Sequence, residues 1–255
     1  MSSARDIERA ISTACADGHP ALVAFLTAGY PDMEGFVDRL RAIAREADVI
    51  EVGVPFTDPM ADGLTIQNAS RKALENGVSL RWILATLSEV CPELDTPVLL
   101  MSYLNPLLAF GIDKLADEAK RAGVAGFIVP DLPLEESAAL RAAIEREGLA
   151  LVQLVTPVTP EGRLRELCKA SSGFVYAVTV TGITGSGLQS QASLSDYLDR
   201  VRRASEKPVC AGFGIATAKQ VQALAGHADG VVVGTALIQA LDRGEDPAVF
   251  LASLK

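Results

Sequence analysis

Two carboxylates lie close together in one short stretch of this sequence and could carry proton-transfer chemistry. Residues 49–63 read VIEVGVPFTDPMADG, so that Glu51 lies inside an apolar run and Asp62 lies on the segment after it. A Val/Ile run bounded by Pro and Gly is typical of a parallel strand buried on both faces, where an unpaired ionised carboxylate costs several kcal/mol or stays protonated. Glu51 is therefore either a proton donor and acceptor or a structural residue whose carboxylate reaches an Arg or a backbone N–H.

The composition limits the partners that such a site could serve. The chain has 255 residues, of which 49% are hydrophobic and 22% are charged, enough for a full core in one α/β barrel or in two small domains. No Pro/Gly/Ser-rich linker divides it, so we expect a single domain over residues 1–255. The formal net charge of −9, without a cluster of Lys or Arg, argues against nucleic acid and anionic membranes as partners.

Cysteine usage and the N-terminal residues predict a cytoplasmic location. The four cysteines lie far apart and form no CxxC pair, so neither a zinc site nor a redox motif is indicated. The N-terminal residues contain no apolar signal core, and no run reaches the roughly 18 apolar residues of a membrane span. We therefore expect a chain that is used whole in a reducing compartment.

Apolar runs alternate along the chain with segments of helical periodicity. Eight of these runs are predicted strands, near Ala21–Thr27, Val49–Val54, Val98–Ser102, Gly126–Val129, Ala150–Val155, Phe174–Val178, Val209–Gly212 and Gly230–Val233. The helical spacing between them indicates βαβ units and a parallel sheet. Eight such units in about 250 residues predict a (β/α)8 TIM barrel, with an open doubly wound sheet as the alternative. An apolar stripe from Ile7 to Ala14 predicts an extra N-terminal helix that covers the lower end of the barrel.

Glycine-rich segments follow the last three predicted strands, at the barrel end where active sites lie. Two of these segments contain Gly214 and the pair Gly234 and Thr235. Glycine lets backbone N–H groups approach an anion, and a helix that starts directly afterwards points its dipole at that anion. The pattern predicts a phosphate site, although each glycine taken alone is equally explained by the formation of a βα turn.

Missing residue types narrow the chemistry further. No Lys lies near the carboxyl end of a predicted strand, which argues against a Schiff-base aldolase. The two histidines, His19 and His227, precede strands and so belong to the lower end of the barrel, which argues against a metal-dependent aldolase or isomerase. The remaining chemistry is proton transfer by carboxylates on a phosphorylated substrate, without a metal.

The stretch at 49–63, followed by TIQN at 65–68, resembles the signature of the tryptophan synthase alpha subunit family. The resemblance continues in the family's order through FLTAG at 25–29, MSYLNP at 101–106, PDLPLEE at 130–136, TGITG at 181–185, GFGI at 212–215 and GTA at 234–236. It covers roughly residues 21–241. The long motif of the second strand is its specific part, whereas the glycine loops fit many phosphate-binding barrels.

The resemblance implies cleavage of indole-3-glycerol phosphate to indole and glyceraldehyde 3-phosphate. By similarity, Glu51 protonates C3 of the indole ring and then takes a hydroxyl proton from the glycerol chain. Asp62 accepts a hydrogen bond from the indole N–H. Tyr176 matches a family tyrosine near this glutamate, although a tyrosine in a strand can equally be part of the core. Acid and base roles of this kind are each worth about 10²–10⁴-fold in rate.

The resemblance also implies a set of substrate-binding residues. An apolar slot for the indole ring is implied at Phe25, Leu100, Ile128 and Phe213. The sixth loop is implied to contribute Thr184, which meets Asp62 when the site closes, together with Gly185. The phosphate group is expected at Gly214, Gly234 and Thr235.

A protein partner is implied as well. Asp58, Pro59 and Asn105 resemble positions at which the alpha subunit meets a beta subunit, in an α2β2 assembly. The pyridoxal phosphate of the synthase is expected in that partner, so no cofactor is expected in this chain. Two alternatives stay open, namely a barrel retained mainly to bind and activate a beta subunit and a free-standing lyase that releases indole.

Overall fold

Eight parallel strands pair in chain order and close into a barrel in the computed structural model, which describes residues 3–179, 191–212 and 214–255. The strands are β1 Ala21–Thr27, β2 Val49–Gly53, β3 Val98–Met101, β4 Val124–Ile128, β5 Ala150–Val155, β6 Val175–Val178, β7 Val209–Gly212 and β8 Gly230–Val233. Because β1 pairs with β8, the sheet has no open edge. The (β/α)8 prediction is therefore confirmed, and the open-sheet alternative is wrong.

Helices surround the barrel and connect its strands. They are α1 Ala4–Ala16, α2 Phe36–Ala44, α3 Leu64–Glu75, α4 Leu80–Val90, α5 Leu104–Phe110, α6 Ile112–Arg121, α7 Ala138–Arg146, α8 Glu161–Ala170, α9 Gln191–Ala204, α10 Ala218–Leu224, α11 Thr235–Asp242 and α12 Pro247–Ala252. In the part of the chain described here, no helix is both long and apolar enough to cross a bilayer.

The crossover between β2 and β3 contains two helices, α3 and α4, for a local reason. Gly77 has a φ of +87°, a left-handed conformation that ends α3 and that other residues rarely adopt. The Ser79 hydroxyl then accepts a hydrogen bond from the Trp82 N–H at 3.3 Å and caps the start of α4. The break leaves α3 as a separate helix directly after the Asp62 segment.

Strand side chains alternate between the barrel interior and the surrounding helices, as the two-residue period of a strand requires. On β1, Val23 and Phe25 belong to the interior cluster, whereas Leu22 and Leu26 pack in the cluster that includes the helices. Pairing places Phe25 on β1, Glu51 on β2 and Leu99 on β3 side by side in the sheet. Glu51 is thereby set among interior residues.

Helix α1 covers the amino-terminal end of the barrel, as its apolar stripe predicts. Ile7 and Ile11 are fully buried in the interior cluster, together with Phe174 at the start of β6. Burial of one large aliphatic side chain stabilises a fold by about 1.5–3 kcal/mol. The lower end is therefore packed, and the polar residues of the interior lie nearer the opposite end.

Candidate active site

Glu51 is a buried carboxyl group without a hydrogen-bond partner in the described part of the chain. Its side chain lies in β2 and is 1% exposed, and both carboxyl oxygens lack a partner among the described residues. Burial, followed by the negative charge of Asp62, raises the pKa of Glu51 to about 8. Within the described residues, no Arg or backbone N–H meets this carboxyl group, which argues against a purely structural role.

Asp62 lies on the segment between β2 and α3 and is also buried, with 7% of its surface exposed. The Tyr103 hydroxyl donates to Asp62 Oδ2 at 3.1 Å, and the Gln67 side chain donates to the Asp62 backbone oxygen at 2.9 Å. Burial raises the pKa of Asp62 to about 6, while the hydrogen bond from Tyr103 opposes the rise. Near neutral pH Glu51 is therefore mostly protonated and Asp62 mostly ionised, as an acid and a charge-stabilising group require.

Tyr176 on β6 lines the same pocket as Glu51 and Asp62. Its side chain is 5% exposed. Burial, together with the charges of the two carboxylates, raises the pKa of Tyr176 well above its ordinary value. The Tyr176 hydroxyl therefore stays protonated and can act only as a neutral hydrogen-bonding group.

Gly212 at the end of β7 lies directly against the Tyr176 ring. A Cβ atom at residue 212 would lie 2.3 Å from Cε1 and 2.5 Å from the hydroxyl oxygen of Tyr176. We expect Gly212→Ala to displace the ring, to lower the free energy of unfolding by about 1–3 kcal/mol and to reduce activity.

Urea unfolding, together with an assay of the indole release that the sequence resemblance implies, would measure these effects. Gly162→Ala on α8 is the matched control, because a Cβ there has no neighbour within 4 Å. Equal stability of the two variants would contradict the tight packing between Gly212 and Tyr176.

Apolar side chains complete the pocket beside the two carboxyl groups. They are Phe25, Ile66, Met101, Ile215 and Val232. The free space between these side chains is about 40 Å³, roughly enough for one or two water molecules. An indole ring therefore requires neighbouring groups to move apart as it enters.

Leu100 does not belong to this pocket, so the sequence-based assignment is wrong at that position. Leu100 is fully buried in the cluster formed with the surrounding helices, because alternation along β3 turns it away from the interior. Its neighbour Met101 faces inward and lines the pocket instead. Ile128 lies on β4 and pairs with Met101 on β3. It belongs to the interior cluster together with Phe25.

One rim of the pocket has the features of an anion site. Gly214, Gly234 and Thr235 all line it, and Thr235 is the first residue of α11. The first N–H groups of an α-helix lack partners within the helix and carry the positive end of its dipole. A phosphate group at this rim would meet those N–H groups.

Three of the predicted site residues lie outside the described residues, namely Thr184, Gly185 and Phe213. The partner positions divide into two kinds. Asp58 and Asn105 are exposed, but Pro59 is buried, so its side chain is not offered to a partner. The Pro59 carbonyl instead accepts the Asp62 N–H at 3.1 Å within its own segment.

Tyr103 and Ile66 are residues of the site to which the sequence analysis assigns no role. Tyr103 lies two residues after the end of β3 within the MSYLNP motif, and its place after a strand end was the available signal. Ile66 lies on α3, outside the strand ends where site residues were sought, and its place in the TIQN motif at 65–68 was the available signal.

A larger cavity of about 380 Å³ lies between α1 and the loop before β7, at the opposite end of the barrel. Its main charged groups are paired. Arg202 contacts Asp229 at 3.4 Å and Lys207 contacts Glu8 at 2.9 Å. The two carboxyl groups with a strongly raised pKa, Glu51 and Asp62, do not line this cavity, so the pocket at Glu51 is the better candidate for chemistry.

Comparisons with known proteins agree on one family. The family model described as tryptophan synthase alpha chain matches residues 11–254. A tryptophan synthase alpha chain from Nitratidesulfovibrio vulgaris (strain DP4) is 47% identical over 250 residues, which cover 98% of this chain and 97% of that one. The same description applies to a chain from Xanthomonas euvesicatoria pv. vesicatoria that is 46% identical and covers 94% of this chain and 91% of its own length.

Solved structures give the same result. A structure of Mycobacterium tuberculosis tryptophan synthase superposes with a TM-score of 0.90 at 35% identity and covers 100% of this chain and 97% of that chain. The tryptophan synthase subunit alpha from Legionella pneumophila strain Paris has a TM-score of 0.88 at 31% identity and covers 98% and 96% of the two chains.

Proposed function

This chain belongs to the tryptophan synthase alpha chain family, and we propose that Glu51 and Asp62, with Tyr176 beside them, carry out its reaction. That reaction is the retro-aldol cleavage of indole-3-glycerol phosphate to indole and glyceraldehyde 3-phosphate, a carbon–carbon lyase step of tryptophan biosynthesis. The observation that carries the proposal is the buried Glu51 carboxyl group, which has no hydrogen-bond partner among the described residues and lies in the same pocket as a second carboxyl group of lower pKa.

The proposed roles follow from the electronics of the leaving group. Indole leaves poorly as a carbanion at C3, so the protonated Glu51 first donates a proton to C3. Positive charge then develops on the ring nitrogen, and the ionised Asp62 stabilises it through a hydrogen bond from the indole N–H. The Glu51 carboxylate next accepts the glycerol hydroxyl proton as the carbon–carbon bond breaks, which forms the aldehyde and regenerates the acid. Tyr176 keeps a neutral hydroxyl group in the same pocket, beside the two carboxyl groups.

The binding residues extend the proposal to both ends of the substrate. Phe25, Met101 and Ile128 form the apolar side for the indole ring. The phosphate group binds at Gly214, Gly234 and Thr235 through the N-terminus of α11. Thr184, Gly185 and Phe213 stay predictions for the same site.

The alpha chain acts with a beta subunit, in an α2β2 complex. We place the partner surface at Asp58 and Asn105, because both residues are exposed and the apolar side chains of Met60 and Leu64, close to Asp58 in sequence, are 75% and 72% exposed. Contiguous exposed apolar side chains are a feature of protein interaction sites. Pyridoxal phosphate belongs to the beta subunit in this proposal. The four free thiols fit a reducing cytoplasm.

Indole formation from indole-3-glycerol phosphate, with and without an added beta subunit, tests the function directly. We expect indole from the chain alone and faster turnover in the complex. Release of indole at a rate that a beta subunit does not change would instead favour a free-standing lyase. Absence of indole under both conditions, with activation of the beta subunit retained, would favour a barrel that acts mainly as an activator.

The pH dependence of kcat/KM is a further prediction of the proposed roles. The reaction requires ionised Asp62 and protonated Glu51 in the free enzyme. Activity should therefore rise with pH through about 6, where Asp62 loses its proton, and fall through about 8, where Glu51 loses its own. Initial rates between pH 5 and pH 9 measure the profile. A flat profile over this range would contradict the assignment of the two carboxyl groups.

A further inference from the structure

We propose that Tyr103 is a positioning residue for this reaction, because its hydroxyl group binds the Asp62 carboxylate and the backbone beside it. The inference rests on the proposed role of Asp62. Tyr103 acts through Asp62 and is not proposed to touch the substrate. Its function is to hold the charged carboxylate at the place where the indole N–H arrives.

The Tyr103 hydroxyl makes two hydrogen bonds to consecutive residues. It donates to Asp62 Oδ2 at 3.1 Å and accepts from the Ala61 N–H at 2.8 Å. A phenol hydroxyl has one proton to donate and can accept as well. Because the Ala61 N–H occupies an acceptor position of the oxygen, the single proton is directed at Asp62. One group therefore fixes both the backbone and the side chain of the Asp62 segment.

The Tyr103 ring is itself held in place. Its side chain is 5% exposed and stacks on Phe56, with ring centroids 5.2 Å apart and an interplanar angle of 26°. The Phe56 N–H donates to the Ser70 hydroxyl on α3 at 2.8 Å. At the other side of Tyr103, the Leu104 N–H donates to the Asp131 carboxylate at 2.9 Å. The hydroxyl group is thus presented by a rigid support, as precise positioning requires.

Other groups around Asp62 do not replace this interaction in the described part of the chain. Glu51 faces the pocket from β2 and Tyr176 from β6, and neither carries a positive charge. Asp131 acts on Tyr103 with a negative charge. Among the described residues, the Tyr103 hydrogen bond is the interaction that lowers the pKa of Asp62 against the effect of burial. Without Tyr103 the carboxylate should take up a proton at higher pH.

Tyr103→Phe tests the inference, because it keeps the ring and its stacking on Phe56 and removes only the hydroxyl. We expect kcat/KM near neutral pH to fall by about 10- to 100-fold, in line with the loss of a hydrogen bond to a charged group. The acid limb of the pH profile should move to higher pH, while the alkaline limb set by Glu51 stays in place. A residue needed only for folding would not shift one limb in this way.

Tyr197→Phe is the matched control. Tyr197 is likewise 5% exposed, and its hydroxyl donates to the Val155 backbone oxygen at 2.9 Å, away from the pocket. This variant also loses one buried hydrogen bond, but we expect its activity and its pH profile to stay unchanged. Thermal unfolding of both variants would show whether their stabilities fall by similar amounts.

The variant Asp62→Asn and the double variant Asp62→Asn/Tyr103→Phe distinguish failure of the inference about Tyr103 from failure of the proposed role of Asp62. If Tyr103 acts through Asp62, Tyr103→Phe should cause no further loss in the Asp62→Asn background. Full activity of Asp62→Asn would refute the proposed role of Asp62, whereas absence of indole formation by the wild-type chain, with and without a beta subunit, would refute the proposed function. If the losses of activity from Tyr103→Phe and Asp62→Asn multiply in the double variant, the inference about Tyr103 is wrong but the proposed function is not affected. An acid limb that does not move in Tyr103→Phe would have the same meaning. If Tyr103→Phe does not fold, Phe56→Leu is the second variant, because it removes the ring that stacks on Tyr103. We expect it to shift the acid limb of the pH profile to higher pH by a smaller amount. An acid limb that does not move would again overturn the inference.

Discussion

Glu51→Gln is expected to abolish indole formation while indole-3-glycerol phosphate still binds. Glutamine has nearly the same shape as glutamic acid and fits the same buried place in β2, but its amide cannot donate a proton to carbon or accept one from a hydroxyl at neutral pH. Loss of both the acid and the base function should lower kcat by about 10⁴-fold or more, since each is worth about 10²–10⁴-fold. In the proposed site, binding of the phosphate group and the indole ring depends on other residues.

Rapid-quench measurement of indole, together with calorimetric titration of the substrate, would check both parts of this expectation. Glu89→Gln makes the same chemical change at an exposed position on α4 and should leave the rate unchanged. Near-normal indole release by the Glu51 variant would refute the catalytic assignment. Loss of substrate binding would show instead that Glu51 shapes the pocket.

The second large effect concerns the stability of the protein as a function of pH. Burial raises the pKa of Glu51 from 4.5 to about 8. Between these pH values the unfolded chain releases a proton that the folded chain keeps, so the free energy of unfolding falls as pH rises. The stability that the neutral Glu51 side chain retains in the folded protein is fully present below about pH 4.5, and it is lost as the pH rises through about 8. At about 1.4 kcal/mol per pH unit, the loss amounts to about 5 kcal/mol.

Glu51→Gln should remove this loss, because glutamine does not ionise. We expect the variant to exceed the wild type in stability at pH 9 by several kcal/mol and to resemble it at pH 5. Urea unfolding at the two pH values measures the difference, with Glu89→Gln as the control for an exposed carboxylate. A Glu51→Gln protein that is less stable than the wild type at pH 9 would contradict the raised pKa of Glu51.

The two expectations for Glu51 have the same origin. A carboxylic acid that donates a proton near neutral pH needs a raised pKa. Burial raises the pKa because it disfavours the charged form, and the folded chain must hold that charged form at higher pH. The stability lost at alkaline pH is the consequence of burying a carboxyl group in an apolar strand, as the role that we propose for Glu51 requires. Natural proteins commonly give up stability at active sites in this way.

The barrel could be predicted from the sequence because each strand is a continuous apolar run in which both faces are buried. The pattern also located Glu51, since a charged residue is conspicuous in such a run. The same property hides which face each residue occupies. Leu100 and Met101 are both apolar, so the sequence does not show which of them faces the barrel interior and which faces the helices. The register of β3 with β4 decides which residue faces inward. The extent of the single domain stays a prediction.

The contact between Tyr103 and Asp62 joins residues 41 positions apart in the chain. No periodicity or local motif encodes such a contact, because it arises when barrel closure brings the segments after β2 and β3 together. The buried state of Pro59 has a similar cause, since the residue is turned inward by the packing of its own segment. Both features depend on distances between chain segments and not on residue type.

Residue types and their order along the chain were sufficient for the strand count and for locating Glu51, Asp62 and the glycines after β7 and β8, because these follow from local hydrophobicity and backbone freedom. The lack of a partner for Glu51 among the described residues, the lower pKa of Asp62, the inward face of β3 and the support from Tyr103 required the folded chain. Desolvation and hydrogen bonding act through space, and their strength is set by neighbours that come together only when the barrel closes.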